Sequence, residues 1–78
     1  MKFRLKNQNR IKVGWMDLEI AVAILEDGRK FDITYDRNEH NLIVHGWYGL
    51  EENEHMEFRQ ALEDYFSKYI KRESDGAA

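Results

Sequence analysis

Residues 18–47 read LEIAVAILEDGRKFDITYDRNEHNLIVHGW, a stretch that holds most of the chain's β-branched residues and two hairpin signals. Leu18, Ile20, Val22 and Ile24 alternate along one run, Glu26-Asp27-Gly28-Arg29 interrupts it, and Phe31, Ile33 and Tyr35 resume it. Asp-Gly between alternating apolar runs is the strongest short-range hairpin signal. A one-residue slip sends every side chain to the opposite face, so parity tests the register. A two-residue Asp27-Gly28 loop pairs Ile24 with Phe31, Val22 with Ile33 and Ile20 with Tyr35, and all of them then line one face. A three-residue loop sets Ile24 opposite Lys30 and Val22 opposite Asp32. The even loop is therefore the expectation. The rival reading is a helix over Leu18–Leu25, capped by Asp17 and stopped by Gly28. It suits Ala21, Ala23 and Leu25, but β-branched residues at every second position favour a pleated strand.

Asp36-Arg37-Asn38-Glu39-His40 is a polar turn, and Asn41 to Trp47 follows it. A four-residue loop of Arg37 to His40 pairs Tyr35 with Leu42 and Ile33 with Val44, and turns His45 and Trp47 to the other side. Upstream, Phe3 and Leu5 alternate in one run and Ile11, Val13 and Trp15 in another, with polar Asn7-Gln8-Asn9 between them. This predicts a further hairpin, in which a three-residue loop pairs Leu5 with Ile11 and Phe3 with Val13. Its other face sets Lys6 opposite Arg10 and Arg4 opposite Lys12, cation against cation, which is destabilising unless something negative lies over it. Gly14 is expected to mark a bulge where the chain bends, with Trp15 and Met16 at the bend.

From Leu50 the hydrophobic period changes from two to 3.6. Phe58, Ala61, Leu62, Tyr65, Phe66, Tyr69 and Ile70 form one stripe of an amphipathic helix. Asn53 is the expected N-cap, although Gly49 leaves room for an earlier start. Glu51, Glu52, Glu54 and Glu57 crowd the first turns and Lys68, Lys71 and Arg72 the last, an arrangement that complements the helix dipole. The dipole accounts for those glutamates without a DNA-mimicking surface. The tail, residues 73–78, is polar and small and is expected to fray. The predicted fold is thus α+β: an antiparallel meander of four to five strands packed on one C-terminal helix, in a single domain over 1–72.

At 78 residues the chain has a thin margin of stability, because small domains bury only about 60% of their unfolded surface. Apolar residues make up 42% and aromatics 13%, enough to exclude disorder for its body. There is no cysteine, hence no disulfide framework and no thiolate chemistry. No apolar run is long enough to span a membrane and no signal pattern is present, so a soluble cytoplasmic protein is expected. Oligomerisation is one way to supply missing core. The net charge of −3 conceals a split: residues 1–16 carry Lys2, Arg4, Lys6, Arg10 and Lys12 and no acid, while the remainder holds all fifteen acids. Such asymmetry points to a charged partner or a self-complementary surface.

A search for chemistry finds none. His40, His45 and His55 do not stand at ligand spacing on one helix face, so no metal or other cofactor is expected. There is no Gly-rich phosphate loop, nucleophile elbow or cysteine nucleophile, and paired carboxylates on exposed faces have nothing to raise a pKa for acid catalysis. Two features remain. The cations Lys2, Arg4, Lys6, Arg10 and Lys12 either blunt an edge strand or meet acidic neighbours, or they form a phosphate-contacting stripe. No aromatic alternates with them to stack on bases, which weakens the second reading. His45-Gly46-Trp47-Tyr48-Gly49 either closes the core at a strand-to-helix corner or presents Trp47 and Tyr48 as an interface anchor. In size and plan the chain resembles small phage and immunity-type proteins that act by binding, an analogy of class alone. The functional expectation is a non-enzymatic protein that binds another protein stoichiometrically, as an inhibitor does. A nucleic-acid module working through the basic N-terminal face is the alternative. A homodimer through the Ala21, Ala23 and Leu25 side of the sheet is a third outcome.

Overall fold

A computed structural model describes the backbone of residues 2–77 and the side chains of residues 2–70. Four strands, β1 (Phe3–Val13), β2 (Met16–Leu25), β3 (Lys30–Asp36) and β4 (Asn41–Val44), form one antiparallel sheet in the order β1-β2-β3-β4. A short 3₁₀ turn, Trp47–Gly49, leads into the helix α1 (Glu52–Ala77). The architecture is the expected α+β meander under one C-terminal helix, with four strands. The frayed tail expected over residues 73–78 falls outside the fully described residues.

The N-terminal segment corrects the sequence reading, for it is one long strand and not a hairpin. Lys6 pairs with Val22 and Asn9 with Ile20, so Asn7 and Gln8 together face Ala21 alone. That is a β-bulge, and Asn7 takes a φ of 57° to make it, a left-handed conformation that Asn tolerates better than most residues. The turn comes later. Val13 pairs with Met16 across Gly14-Trp15, with Gly14 at a φ of 61°, the positive first position that a tight two-residue hairpin turn requires. Gly14 therefore turns the chain, and the bulge lies seven residues upstream of it.

The β2–β3 register is the second correction. Ala23 pairs with Phe31, Ala21 with Ile33 and Glu19 with Tyr35, whereas Ile24 faces Lys30 and Val22 faces Asp32. The loop is Glu26-Asp27-Gly28. Gly28 donates its amide to the Leu25 carbonyl, Leu25 donates to the Arg29 carbonyl, and Gly28 sits at a φ of 92°. The Asp27 carboxylate accepts from the Arg29 amide at 3.1 Å and holds the turn. Packing explains the choice of face. Phe58, Leu62 and Phe66 of α1 are fully buried, and the alanines of β2 leave room for these large side chains where β-branched residues would not. Burial of side chains of this size contributes about 1.5–3 kcal/mol each. The core comprises Ala23, Leu25, Phe31, Ile33, Tyr35, Leu42, Val44, Leu50, Phe58, Leu62 and Phe66, with Phe3, Leu5 and Ile70 packed on it. Tyr35 stacks flat on Phe66 with ring centroids 4.8 Å apart.

The remaining elements follow expectation more closely. Tyr35 pairs with Leu42 and Ile33 with Val44 across Arg37–His40, and Asp36 Oδ1 accepts from the amides of Asn38 and Glu39. The helix begins a residue before the expected cap. Its first backbone bond runs from His55 N to Glu51 O, and Glu54 Oε1 reaches back to the Glu51 amide at 3.4 Å, in the manner of a capping box. Glu51 is thus the N-cap, and Asn53 lies exposed within the first turn. Tyr65 and Tyr69 sit on the exposed flank of the stripe.

Candidate functional site

The aromatic turn is built by backbone geometry. Gly46, at a φ of 79°, lets the chain leave β4 sharply. Gly49 N donates to Gly46 O at 3.1 Å and Leu50 N to Trp47 O at 2.8 Å, and the buried Leu50 pins the turn to the core. Trp47 and Tyr48 are consequently held outward. Trp47 is 49% exposed and Tyr48 84% exposed, which corrects the core reading of this pair: Leu50, Phe31 and Phe58 already fill the corner. Trp47 lies flat on His55 of α1, centroids 4.5 Å apart and planes 14° from parallel, so the ring is braced by the helix and does not turn to the far side of the sheet as His45 does. His45 Nε2 and the Thr34 hydroxyl share a hydrogen bond at 3.0 Å on that far side. His55 Nε2, shielded beneath the indole, has no hydrogen-bond partner among the described residues.

The five N-terminal cations do not share a face. Lys2 precedes β1 and lines a groove with Leu25 of β2 and Glu57 of α1, whereas Arg4 and Lys6, ahead of the bulge, lie on the side of the sheet away from α1. Beyond it the parity inverts, and Arg10 and Lys12 fall on the helix side opposite Glu19 and Asp17. Arg10 makes a bidentate pair with Asp17, at 2.9 Å from Nε and 2.7 Å from Nη2. Arg37 donates to Glu19 at 2.6 Å and stands 3.7 Å from Asp17. The hydrogen bond from Arg10, with the nearby charges of Arg37 and Lys12, holds the Asp17 carboxyl below the ordinary aspartate range. Arg10 thus belongs to an internal charge network. Nor does the structure bring the cations to the aromatics, since β1 and the turn after β4 flank opposite edges of the sheet, about 14 Å apart at the usual strand spacing.

A surface that sequence reasoning missed is the open side of the sheet. Met16, Leu18, Ile20, Val22 and Ile24 form its central column, Ile11 and Val13 of β1 lie alongside, and Ile43 sits on β4. Val13, Met16 and Ile43 are exposed, and Ile11, Leu18, Ile20 and Val22 are half-buried. The homodimer surface expected on Ala21, Ala23 and Leu25 is not available, because these three are buried under α1. The signal for the correct face was Asn7 read as a bulge, which carries Ile11 and Val13 across to the side of Ile20 and Val22. Trp15, at the tip of the β1–β2 hairpin, is 80% exposed; its carbonyl accepts from Asn38 Nδ2 at 2.6 Å.

Among the described residues no group of three histidines or carboxylates is placed to hold a metal ion, and no helix is long and apolar enough to cross a membrane. The concave regions are open grooves, one of them lined by Ile20, Val22, Asp32, Thr34 and His45. Comparison with protein-family models, with curated proteins and with solved structures finds no match to this chain.

Proposed function

We propose that this chain is a non-enzymatic protein that acts stoichiometrically, by docking Trp47 and Tyr48 against the surface of another protein, as an inhibitor does. The observation that carries this reading is the exposure of both rings on a turn fixed by Gly46, Leu50 and the stack on His55. Tryptophan and tyrosine dominate interface energetics because they bury a large area at low conformational cost, and a braced ring loses less entropy on binding than a free one. Arg4 and Lys6, which stay outside the internal charge network, support the same reading, since exposed cations steer association with an acidic partner.

Affinity capture with the tagged protein, comparing wild type with a Trp47→Ala/Tyr48→Ala variant of unchanged far-UV circular dichroism, tests it. One protein retained in stoichiometric amount by wild type and lost by the variant is the expected result. Equal retention by both, or turnover of a small molecule in an unbiased screen without any retained protein, overturns the proposal.

A second reading, a nucleic-acid-contacting module, draws on Arg4 and Lys6, which share one side of β1 without ion-pair partners among the described residues, with Lys2 just ahead of the strand. Phosphate contacts of this kind weaken steeply with salt. A gel shift with mixed oligonucleotides at low salt that vanishes at moderate salt would favour it, and no shift at low salt dismisses it.

A further inference from the structure

The open side of the sheet is ordered in rows across the strands. The central rows read Lys6, Val22, Asp32 and Asn9, Ile20, Thr34, from β1 through β2 to β3. A cation and an anion therefore flank the apolar column, two strand spacings or about 10 Å apart, too far to pair within one chain. Neither Lys6 nor Asp32 has an ion-pair partner among the described residues.

We propose that two copies of this chain associate through this face, about a two-fold axis running along β2, so that each Lys6 meets the partner's Asp32. Rotation about that axis lays each β2 column on its own copy and exchanges the β1 and β3 positions of every row. Lys6 then falls over the partner's Asp32, and the partner's Lys6 over Asp32, as an isologous interface demands. Asn9 meets the partner's Thr34 in the next row. The other in-plane axis, perpendicular to the strands through Ile20, fails on charge: it lays β1 on β1 and β3 on β3, with Lys6 over the partner's Ile11 and Asp32 over the partner's Asp36. The strand-parallel axis also places Ile11 over the partner's Asp36, but Asp36 Oδ1 already accepts from the amides of Asn38 and Glu39. It places Arg4 over the partner's Lys30 as well, but that row lies at the end of the sheet. Face-to-face sheets cross at about 30°, so end rows diverge into solvent while the central rows stay in register.

The size suits a weak dimer. About the β2 axis the strands that overlap are β1, β2 and β3, since β4 projects beyond the partner's β1. About ten residues of strand at roughly 3.3 Å, across three strands about 4.8 Å apart, give a footprint of about 475 Å². This is below the roughly 600–1,000 Å² per partner of standard interfaces and in the range of weak, transient ones. A chain of 78 residues with one sheet face covered by a helix has this second face left to complete its burial.

Sedimentation equilibrium across a concentration series tests the assignment. Wild type is expected to be dimeric at high micromolar concentration. Lys6→Asp and Asp32→Lys are each expected to raise the dimer Kd at least about tenfold, since each places like charges together twice. An equimolar mixture of the two variants is expected to dimerise again, because both cross pairs become complementary. Ile20→Lys, in the centre of the column, is expected to abolish the dimer, with circular dichroism confirming that all variants fold. A wild type that stays monomeric overturns the proposal. So does a dimer that tolerates both charge reversals or Ile20→Lys, which would put the contact elsewhere, such as the outer edge of β1.

Discussion

Arg37 Nη1 donates a 2.6 Å hydrogen bond to Glu19 Oε1, and that carboxylate, only 1% exposed, is the one charged side chain buried among the described residues. The pair closes the end of the sheet where the β1–β2 hairpin meets the Arg37–His40 loop, and the Arg37 amide donates to the Asp17 carbonyl at the same place. Breaking such a pair leaves an uncompensated buried charge, which costs about 3–5 kcal/mol, whereas replacing both partners by apolar groups is close to neutral. Arg37→Ala is therefore expected to lower the urea midpoint sharply. The double replacement Glu19→Leu/Arg37→Met is expected to recover most of that loss, and a double variant as unstable as the single would refute the account.

Ala23 is fully buried and sits between Leu5 and Phe31 across the strands. Ala23→Leu is expected to overpack this site and to destabilise the fold by about 1–3 kcal/mol in denaturant unfolding. In the even-loop register the same side chain would point away from the helix, and the leucine would cost nothing.

Three carboxylates are held below their ordinary range: Asp17 chiefly by its hydrogen bond from Arg10, Asp27 chiefly by the backbone amide of Arg29, and Glu54 chiefly by the Arg29 side chain. The folded protein binds these protons less readily than the unfolded chain. Their stabilisation is therefore complete above the ordinary carboxylate range and is lost as pH falls through the depressed folded values. Asp17→Asn is expected to be less stable than wild type at neutral pH and to lose stability less steeply on acidification. Urea midpoints measured from pH 7 down to about pH 2 check this, and parallel curves would exclude Asp17 as a contributor.

Gly28 adopts a φ of 92°, and an added Cβ meets nothing within 4 Å. Any cost of substitution is therefore backbone strain alone. Gly28→Ala is expected to destabilise by about 1–2 kcal/mol and Gly28→Asn by less, because asparagine visits positive φ more readily. Equal thermal midpoints for the two variants would contradict the turn geometry.

How much of this was legible varies by element for physical reasons. The helix stripe and the Arg37–His40 loop could be read directly because only one face of each fits an apolar core. The β2 register could not, since Ala21, Ala23 and Leu25 alternate with Ile20, Val22 and Ile24 and both sets are apolar. Bulk favoured the second set, but the size of Phe58, Leu62 and Phe66 gave the core to the first. In β1, Asn7-Gln8-Asn9 suits a turn and a bulge equally well by composition, and only pairing with β2 decides between them. That one ambiguity hid both the separation of the five cations and the open apolar face. Trp47 and Tyr48 could be read either as core or as an exposed anchor, because two aromatics between glycines suit both, and only the burial of Leu50 beside the exposure of the pair decides between them.

The strand order β1-β2-β3-β4 repeats the order of the chain, so every pair in the sheet is a hairpin between consecutive segments. The entropy of closing long loops is thus deferred to one event, the return of α1 onto β1, where Phe3 meets Phe58 at 5.9 Å and Tyr65 at 6.4 Å edge to face. Chains dominated by such local pairings fold fast for their size. With no proline to isomerise and no cysteine to reshuffle, refolding has none of the usual sources of a slow phase. The meander thus gives this domain a short exposure of its apolar strands during synthesis, with the last contact to form tying the first strand to the final helix.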